Sequence, residues 1–272
     1  MRTIVITGGT DGMGAALARH FLARGDRVVV IGRNRAKFEA LVAGVTRGTP
    51  SAASRAEFIA ADLSLVAESR RVVDHLTAHH ERIDALVLAA SFIRQRRHVT
   101  PEGHEASWAL FFLGKYVFVT GLAARLRAAG HPVVVNTAVP GARPDAIDFD
   151  DPGMTDAFTF TRSNAQQRRA NELLGLLATR DNPALTYVTW GPAWLVKSGF
   201  AGDVGLGMRT AATVFGTLFG RRPEKAVAPV IDLIDHPAPG RAALRGAKRL
   251  ALGGARDDKD AVRLAAVVEN SL

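Results

Sequence analysis

Thr7-Gly8-Gly9-Thr10-Asp11-Gly12-Met13-Gly14 follows a β-branched run at residues 3–6 and precedes an amphipathic stretch that begins at Ala15. Each glycine in this turn has its own physical reason. Gly8 permits the tight turn, Gly12 lets backbone amides approach an anion, and Gly14 lets the following helix pack closely on the strand. The helix N-terminus then faces the anion, which is how a dinucleotide pyrophosphate is held. An ordinary turn is the alternative, but the strand–turn–helix context favours the dinucleotide. Thr7, Gly8, Thr10, Asp11, Gly12, Met13 and Gly14 are the residues expected at it.

Outward from this turn, short β-branched runs alternate with longer amphipathic stretches. Strands are expected at 3–6, 27–31, 57–60, 85–89, 132–136 and 185–190, and helices at about 12–24, 35–45, 65–79, 103–129 and 156–180. Such alternation implies parallel strands joined by right-handed crossovers, a doubly wound α/β sheet with helices on both faces. A Pro-, Gly- and Asp-rich loop at 139–153 interrupts the rhythm, and residues 200–270 read as helices without another strong strand. No repeat, low-complexity tract or interdomain linker appears, so 1–272 reads as one domain. Residues 1–130 are mainly its cofactor half and 131–272 mainly its substrate half.

The end of the second strand bears on which dinucleotide binds. NAD sites usually place an acid there for the ribose 2′-hydroxyl, whereas Val30-Ile31-Gly32-Arg33-Asn34 has none and offers Arg33 to a 2′-phosphate. NADP(H) is favoured, with Arg33 and Asn34 at the site. Asp62-Leu63, after the third strand, suits an adenine contact, with a helix N-cap as the alternative for Asp62.

Composition narrows the rest. With 272 residues and 47% apolar content, one large α/β core is affordable. The absence of cysteine excludes disulfides, thiolate catalysis and cysteine metal sites. The strand at residues 3–6 leaves no room for a signal peptide after Met1, and no run approaches a membrane span. A cytoplasmic address is expected. The net charge of +9 invites a nucleic-acid reading, but the arginines are scattered and no nucleic-acid motif accompanies them, so a solvated basic surface is preferred. His79 and His80 lack metal-ligand spacing, and no metal is expected.

With the glycine turn, Asp62-Leu63 and the strand ending in Ala89-Ala90, the sequence resembles the short-chain dehydrogenase/reductase superfamily, and within it the retinol-dehydrogenase-like branch. Thr100-Pro101-Glu102-Gly103-His104-Glu105 mirrors that branch's T-x-D-G-x-E run. Ala146-Ile147-Asp148-Phe149-Asp150-Asp151 and Pro223-Glu224 also have counterparts in it. The resemblance runs from residue 1 to about 269. It implies a Rossmann-type fold, a nicotinamide cofactor contacted also by Ala89 and Ala90, a small-molecule substrate and a homo-oligomer paired through the fourth and active-site helices.

The catalytic residues implied by the resemblance are replaced. The family's Asn-Ala-Gly reads Ala89-Ala90-Ser91, its helical asparagine falls on Phe111 and its serine on Ala138. Its Tyr-x-x-x-Lys falls on Phe160 and Asn164. Tyr116 and Tyr187 are the only tyrosines, and they are followed four residues later by Thr120 and Gly191, so no Tyr-x-x-x-Lys exists elsewhere. Phenylalanine cannot protonate an alkoxide, and a lost positioned acid costs roughly 10²–10⁴-fold in rate.

Three readings follow from this. One is reduction of a C=N or C=C bond, which tolerates Phe160, with Thr137, Asn164 and Lys197 as the polar groups at the reacting centre. Asn136 and Thr161 would stand nearby, and Asn164 would bond a ribose hydroxyl. Another is a non-redox cyclase, dehydratase or isomerase that uses the more apolar cavity to hold its substrate. The last is a silent sensor or inactive partner. Ala138, Phe160, Trp190 and Trp194 are candidate pocket walls, with core packing as the alternative for the tryptophans. In Arg94-Gln95-Arg96-Arg97-His98 three arginines, with Arg94 as the substrate-binding candidate, would grip a carboxylate or phosphate, though a solvated loop is the preferred reading. Asp148, Asp150 and Asp151 read better as a polar surface loop than as a paired-carboxylate site.

Overall fold

Eight strands in the order β10-β9-β7-β6-β4-β1-β2-β3 form one sheet. The computed structural model describes residues 1–193, 202–203 and 223–272. The first half supplies β1 (Thr3–Thr7), α1 (Gly12–Arg24), β2 (Arg27–Gly32), α2 (Arg35–Thr46), β3 (Ala56–Ala60), α3 (Val66–His79) and β4 (Ala85–Leu88). A two-residue strand, β5 (Ile93–Arg94), leads to α4 (Ala106–Trp108), a π-helical turn at Ala109–Leu113, α5 (Gly114–Gly121) and α6 (Ala123–Arg127). The second half adds β6 (Val133–Asn136), α7 (Phe160–Asp181), β7 (Thr186–Gly191) and β8 (Gly202–Asp203). It ends with α8 (Pro223–Ala226), α9 (Ala228–Asp235), β9 (Gly240–Arg245), β10 (Lys248–Leu250) and α10 (Asp257–Glu269).

The β-branched runs become strands because both faces of a parallel sheet are covered, which rewards stiff apolar residues at every position. Along β1 and β2, Val5, Val29 and Ile31 enter the core shared with α3, α5, α7 and α10, while Ile4, Ile6, Val28 and Val30 enter the opposite core with α1 and α9. The neighbours β1–β2–β3 run one way from β1 and β4–β6–β7 the other, so the sheet reverses its winding between β1 and β4. That switch point is where such folds open a ligand crevice.

Two expectations need correction. Residues 200–270 do contain a strong strand. β9 pairs parallel with β7 over six residues, and β10 turns back antiparallel on it. Its sequence, Gly-Arg-Ala-Ala-Leu-Arg, has little β-branched character, and burial against its neighbours decides its conformation instead. The helix expected over 103–129 is also broken. It starts at Ala106, widens to a π turn at Ala109–Leu113 and ends in a separate short α6.

Candidate functional site

The glycine turn sits at the switch point and is built for backbone proximity. Gly8 has φ 69° and Gly12 φ 52°. A Cβ on Gly8 would lie 2.7 Å from the Cα of Ala90, and one on Gly14 would lie 2.4 Å from the Gly8 carbonyl oxygen. No side chain fits at either place. Thr7 takes a different part from the one expected. Its buried hydroxyl accepts from the amides of Ala89 and Ala90 at 3.0 and 3.2 Å, and so sews β1 to β4 beneath the turn. Thr10 packs against Gly32 at the end of β2, and the partly buried Met13 packs on the core below α1.

Asp11 caps α1, accepting from the Gly12 amide at 2.7 Å, and its second oxygen pairs with Lys37. Asn34 caps α2 by accepting from the Lys37 amide at 2.9 Å, which sets Lys37 on the first helical turn, facing back to the glycine turn. Arg33 is exposed beside it, and Arg35 lies over the Phe58 ring at 4.9 Å. The end of β2 thus presents a basic group of residues. Lys37 escaped the sequence reading, although an Asn N-cap three residues ahead was a legible signal for its position.

Asp62 acts neither as the N-cap of α3 nor as a free side chain. Its Oδ1 accepts from the amide and the hydroxyl of Ser64, at 3.0 and 2.7 Å, and Leu63 is buried beside it. The first amides of α3 are satisfied instead by Glu102, which accepts from Val66 and Ala67 at 2.6 and 2.9 Å. Glu105 caps α4 in the same way, through Ser107 and Trp108. These two carboxylates give the Thr100-Pro101-Glu102-Gly103-His104-Glu105 run a structural purpose.

Of the four residues that the resemblance sets against the family's tetrad, Phe111 lies in the π turn, Ala138 just beyond β6, and Phe160 and Asn164 on the exposed first turns of α7. Thr137 is half-buried, its hydroxyl spent on the Leu88 carbonyl at 3.0 Å. Asn136 does not surround the pocket as expected; it is fully buried behind it. Its Oδ1 accepts from Lys115 Nζ at 2.8 Å and from the Ala138 amide at 3.1 Å. Its amide group donates to Asn171 at 2.6 Å and to the Tyr187 hydroxyl at 2.8 Å, and Asn171 in turn donates to the Phe111 carbonyl at 2.8 Å.

One buried polar network therefore fixes the backbone at two of the four positions. Burial pulls the Lys115 amine down to about 7, and pushes the Tyr187 hydroxyl well above its usual range despite its bond to Asn136. Neither Lys115 nor Asn171 was singled out from the sequence, because a lone lysine on an apolar helix gives no sign of what it will face.

Trp190 is a core residue rather than a pocket wall: it is 1% exposed, and its indole N–H donates to the Gly246 carbonyl at 3.0 Å. Trp194 and Lys197 lie outside the described residues. The acidic loop is not a paired-carboxylate site. Asp148 accepts from the amides of Asp150 and Asp151, Asp151 accepts from Thr155, and Arg162 and Arg263 pair with Asp148 and Asp150. His75 and His80 both hold Glu57, at 2.8 and 3.1 Å, and these bonds, that from His80 foremost, draw its carboxyl down to about 2. Among the described residues no cluster of His, Cys, Asp and Glu could hold a metal ion.

Residues 2–143 match the family model for short chain dehydrogenases, and the chain belongs to that family. It is 27% identical over 219 residues to dehydrogenase/reductase SDR family member 12 of Bos taurus, covering 78% of this chain and 68% of the relative. A probable oxidoreductase of Streptomyces lividans is 34% identical over 152 residues, 56% of this chain and 49% of its own length. Retinol dehydrogenase 13 of Mus musculus is 26% identical over 150 residues, covering 55% and 44%. The chain thus spans about half or less of the length of the latter two. Among solved structures, a protein from Mycobacterium Paratuberculosis superposes with TM-score 0.69 at 22% identity, covering 100% of this chain and 93% of that one. A short-chain dehydrogenase from Sphingobium yanoikuyae in complex with NADPH gives TM-score 0.62 at 20% identity, covering 98% and 94%. These two likenesses are of fold.

Proposed function

We propose that this short-chain dehydrogenase homologue binds NADP(H) and reduces a C=N or C=C bond of a small, largely apolar biosynthetic intermediate. The observation that carries the reading is a turn with no space for a Cβ at Gly8 or Gly14, in a chain whose counterparts of the tetrad, as the resemblance aligns them, hold no proton donor. The residues fit the cofactor. Gly8 and Gly14 let the turn close on Ala90 and on the start of α1, whose N-terminus suits a pyrophosphate, and Arg33 and Lys37 at the end of β2 would serve a 2′-phosphate. When bound, the cofactor supplies hydride.

The chain's own contribution is to orient and enclose the substrate. The network through Asn136 holds the Phe111 and Ala138 backbones still, Phe111 and Phe160 provide apolar surface, and Asn164 is offered to a ribose hydroxyl. An iminium or conjugated alkene suits such a site because neither needs an alkoxide protonated. Asp62, Leu63, Ala89 and Ala90 complete the proposed cofactor contacts, and Thr137 is the polar group proposed near the reacting centre.

We read the chain as one domain, with 1–130 mainly the cofactor half and 131–272 mainly the substrate half. We place it in the cytoplasm as a homo-oligomer; among the described residues no helix is long and apolar enough to cross a membrane.

Titrating NADPH and NADH against the purified protein tests the cofactor reading. Micromolar NADPH binding, weakened at least about tenfold by Arg33→Ala while weak NADH binding stays unchanged, is the expected outcome. Binding of neither cofactor would sink it. NADPH consumption with a panel of imines and enones then tests the chemistry.

The edge-to-face packing of Phe92 on Phe111, with ring centroids 5.6 Å apart, supports a second reading. In it the site is an apolar mould for a non-redox cyclisation, dehydration or isomerisation. Substrate turnover without NADPH consumption would select it.

A further inference from the structure

The three arginines that follow β4 are put to different uses. Arg97 donates through Nε to the Gly153 carbonyl at 3.1 Å and tethers the acidic loop. Arg96 is exposed. Arg94 is half-buried, its guanidinium lying over the Phe92 ring at 4.9 Å, and Phe92 meets Phe111 edge-on. The Nε of Arg94 is enclosed and has no acceptor among the described residues. Its terminal nitrogens make no hydrogen bond and no ion pair among the described residues.

The backbone beneath Arg94 is fixed, because Ile93 and Arg94 pair in parallel with Gly202 and Asp203. The residue therefore stands beyond the carboxyl end of β4, on the crevice side of the sheet, two ring contacts from a tetrad-equivalent position.

A guanidinium cannot lose its charge, and stacking satisfies its face but not its N–H edge. An enclosed N–H without an acceptor is destabilising, because its lost hydration is not replaced. Arg55, Arg125 and Arg169 also leave Nε without an acceptor, but each spends a terminal nitrogen on a carbonyl or carboxylate, whereas Arg94 spends none among the described residues. The planar fork matches a carboxylate bidentately, and the ring beneath holds it in the orientation that match requires.

We infer that Arg94 binds the carboxylate of the substrate, so that the molecule reduced at this site is an amphipathic acid whose apolar part lies along Phe92 and Phe111. The inference refines the substrate class of the reading above and rests on it for the words "molecule reduced". The binding claim itself stands on Arg94.

Calorimetric titration separates the two claims. trans-Cinnamate and farnesoate, each beside its methyl ester, are titrated into wild type, Arg94→Lys and Arg94→Gln, with and without NADP⁺. The acids are expected to bind at least about tenfold tighter than their esters, as charge-assisted hydrogen bonds imply. Arg94→Lys should keep part of that preference, and Arg94→Gln should abolish it so that each acid binds no tighter than its ester. Acids that bind no tighter than esters, or a preference that survives Arg94→Gln, would overturn the inference. Phenyl phosphate binding more tightly than cinnamate would overturn the carboxylate assignment. NADPH oxidation is followed in parallel. An Arg94-dependent acid preference without oxidation of NADPH by any unsaturated acid or imine would remove the reductase reading and leave the anion site standing. Oxidation at equal KM for acid and ester would do the reverse.

Discussion

Gly14 admits no other residue. A methyl group there would stand 2.4 Å from the carbonyl oxygen of Gly8, a backbone atom that cannot move without reshaping the turn. Gly14→Ala is expected to abolish NADPH binding and to cost about 1–3 kcal/mol in denaturant unfolding.

Lys115 makes a prediction of a different kind. In the unfolded chain it titrates at 10.5 and in the folded protein at about 7. Between those values the unfolded chain binds the extra proton, so stability rises with pH by up to about 1.4 kcal/mol per unit, and is lost as pH falls back toward 7. Asn136 bonds the amine and the Phe111 ring lies 5.9 Å from it; the Tyr187 hydroxyl bonds the same Asn136, and its raised pKa reverses the trend above about pH 10. Urea midpoints measured from pH 7 to 9.5 should climb for wild type and stay flat for Lys115→Met. A slope retained in the variant would assign it to other groups.

Phe160 and Asn164 test the tetrad equivalence directly. The double variant Phe160→Tyr, Asn164→Lys is expected to gain NADPH-dependent reduction of simple ketones by about 100-fold or more, the lower end of what a positioned acid contributes. No gain would place the equivalence in another register.

Among the elements, α7 and α10 depend on one another. Arg169 on α7 is 5% exposed and bonds Asp257 at 2.8 Å and Asp260 at 3.4 Å on the first turn of α10. Arg241 of β9 approaches Asp257 at 3.7 Å. Beneath this cluster Ala261, Leu264 and Val268 join the core that holds Leu173 and Leu174. Breaking a buried pair leaves an uncompensated charge, so Arg169→Met should cost about 3–5 kcal/mol. Adding Asp257→Asn and Asp260→Asn should return most of that loss in thermal unfolding. A full loss that persists in the triple variant would mean that packing rather than charge holds α10 in place.

At the scale of the whole molecule, the helices α5, α6, α7 and α10 leave an open, mostly apolar cavity of about 370 Å³, lined by Tyr116, Val119, Leu174, Leu177 and Ala265 among others. The proposed homo-oligomer would close this face. Light scattering is expected to return a multiple of the chain mass, falling to one chain in Leu177→Glu. A wild-type mass of a single chain would reject the proposal.

The sequence by itself determined the doubly wound class and the glycine turn, because a parallel sheet covered on both faces and a turn whose backbone closes on Ala90 and on the Gly8 carbonyl each demand residue types that leave local, countable patterns. That Phe111, Ala138, Phe160 and Asn164 stand against the family's tetrad is what the resemblance implies, and it rests on alignment of the sequence alone. β9 was not legible, since its conformation comes from burial beside β7 rather than from its own propensity. Nor were the fates of Thr7, Asn136 and Trp190, which look functional by position but are turned inward, toward the sheet and the core. Only the tertiary structure could bring Lys115, Asn136, Asn171 and Tyr187 together from four elements, or single out Arg94 from its neighbours, because the contacts that distinguish them join residues far apart in the chain or depend on how rings pack around them.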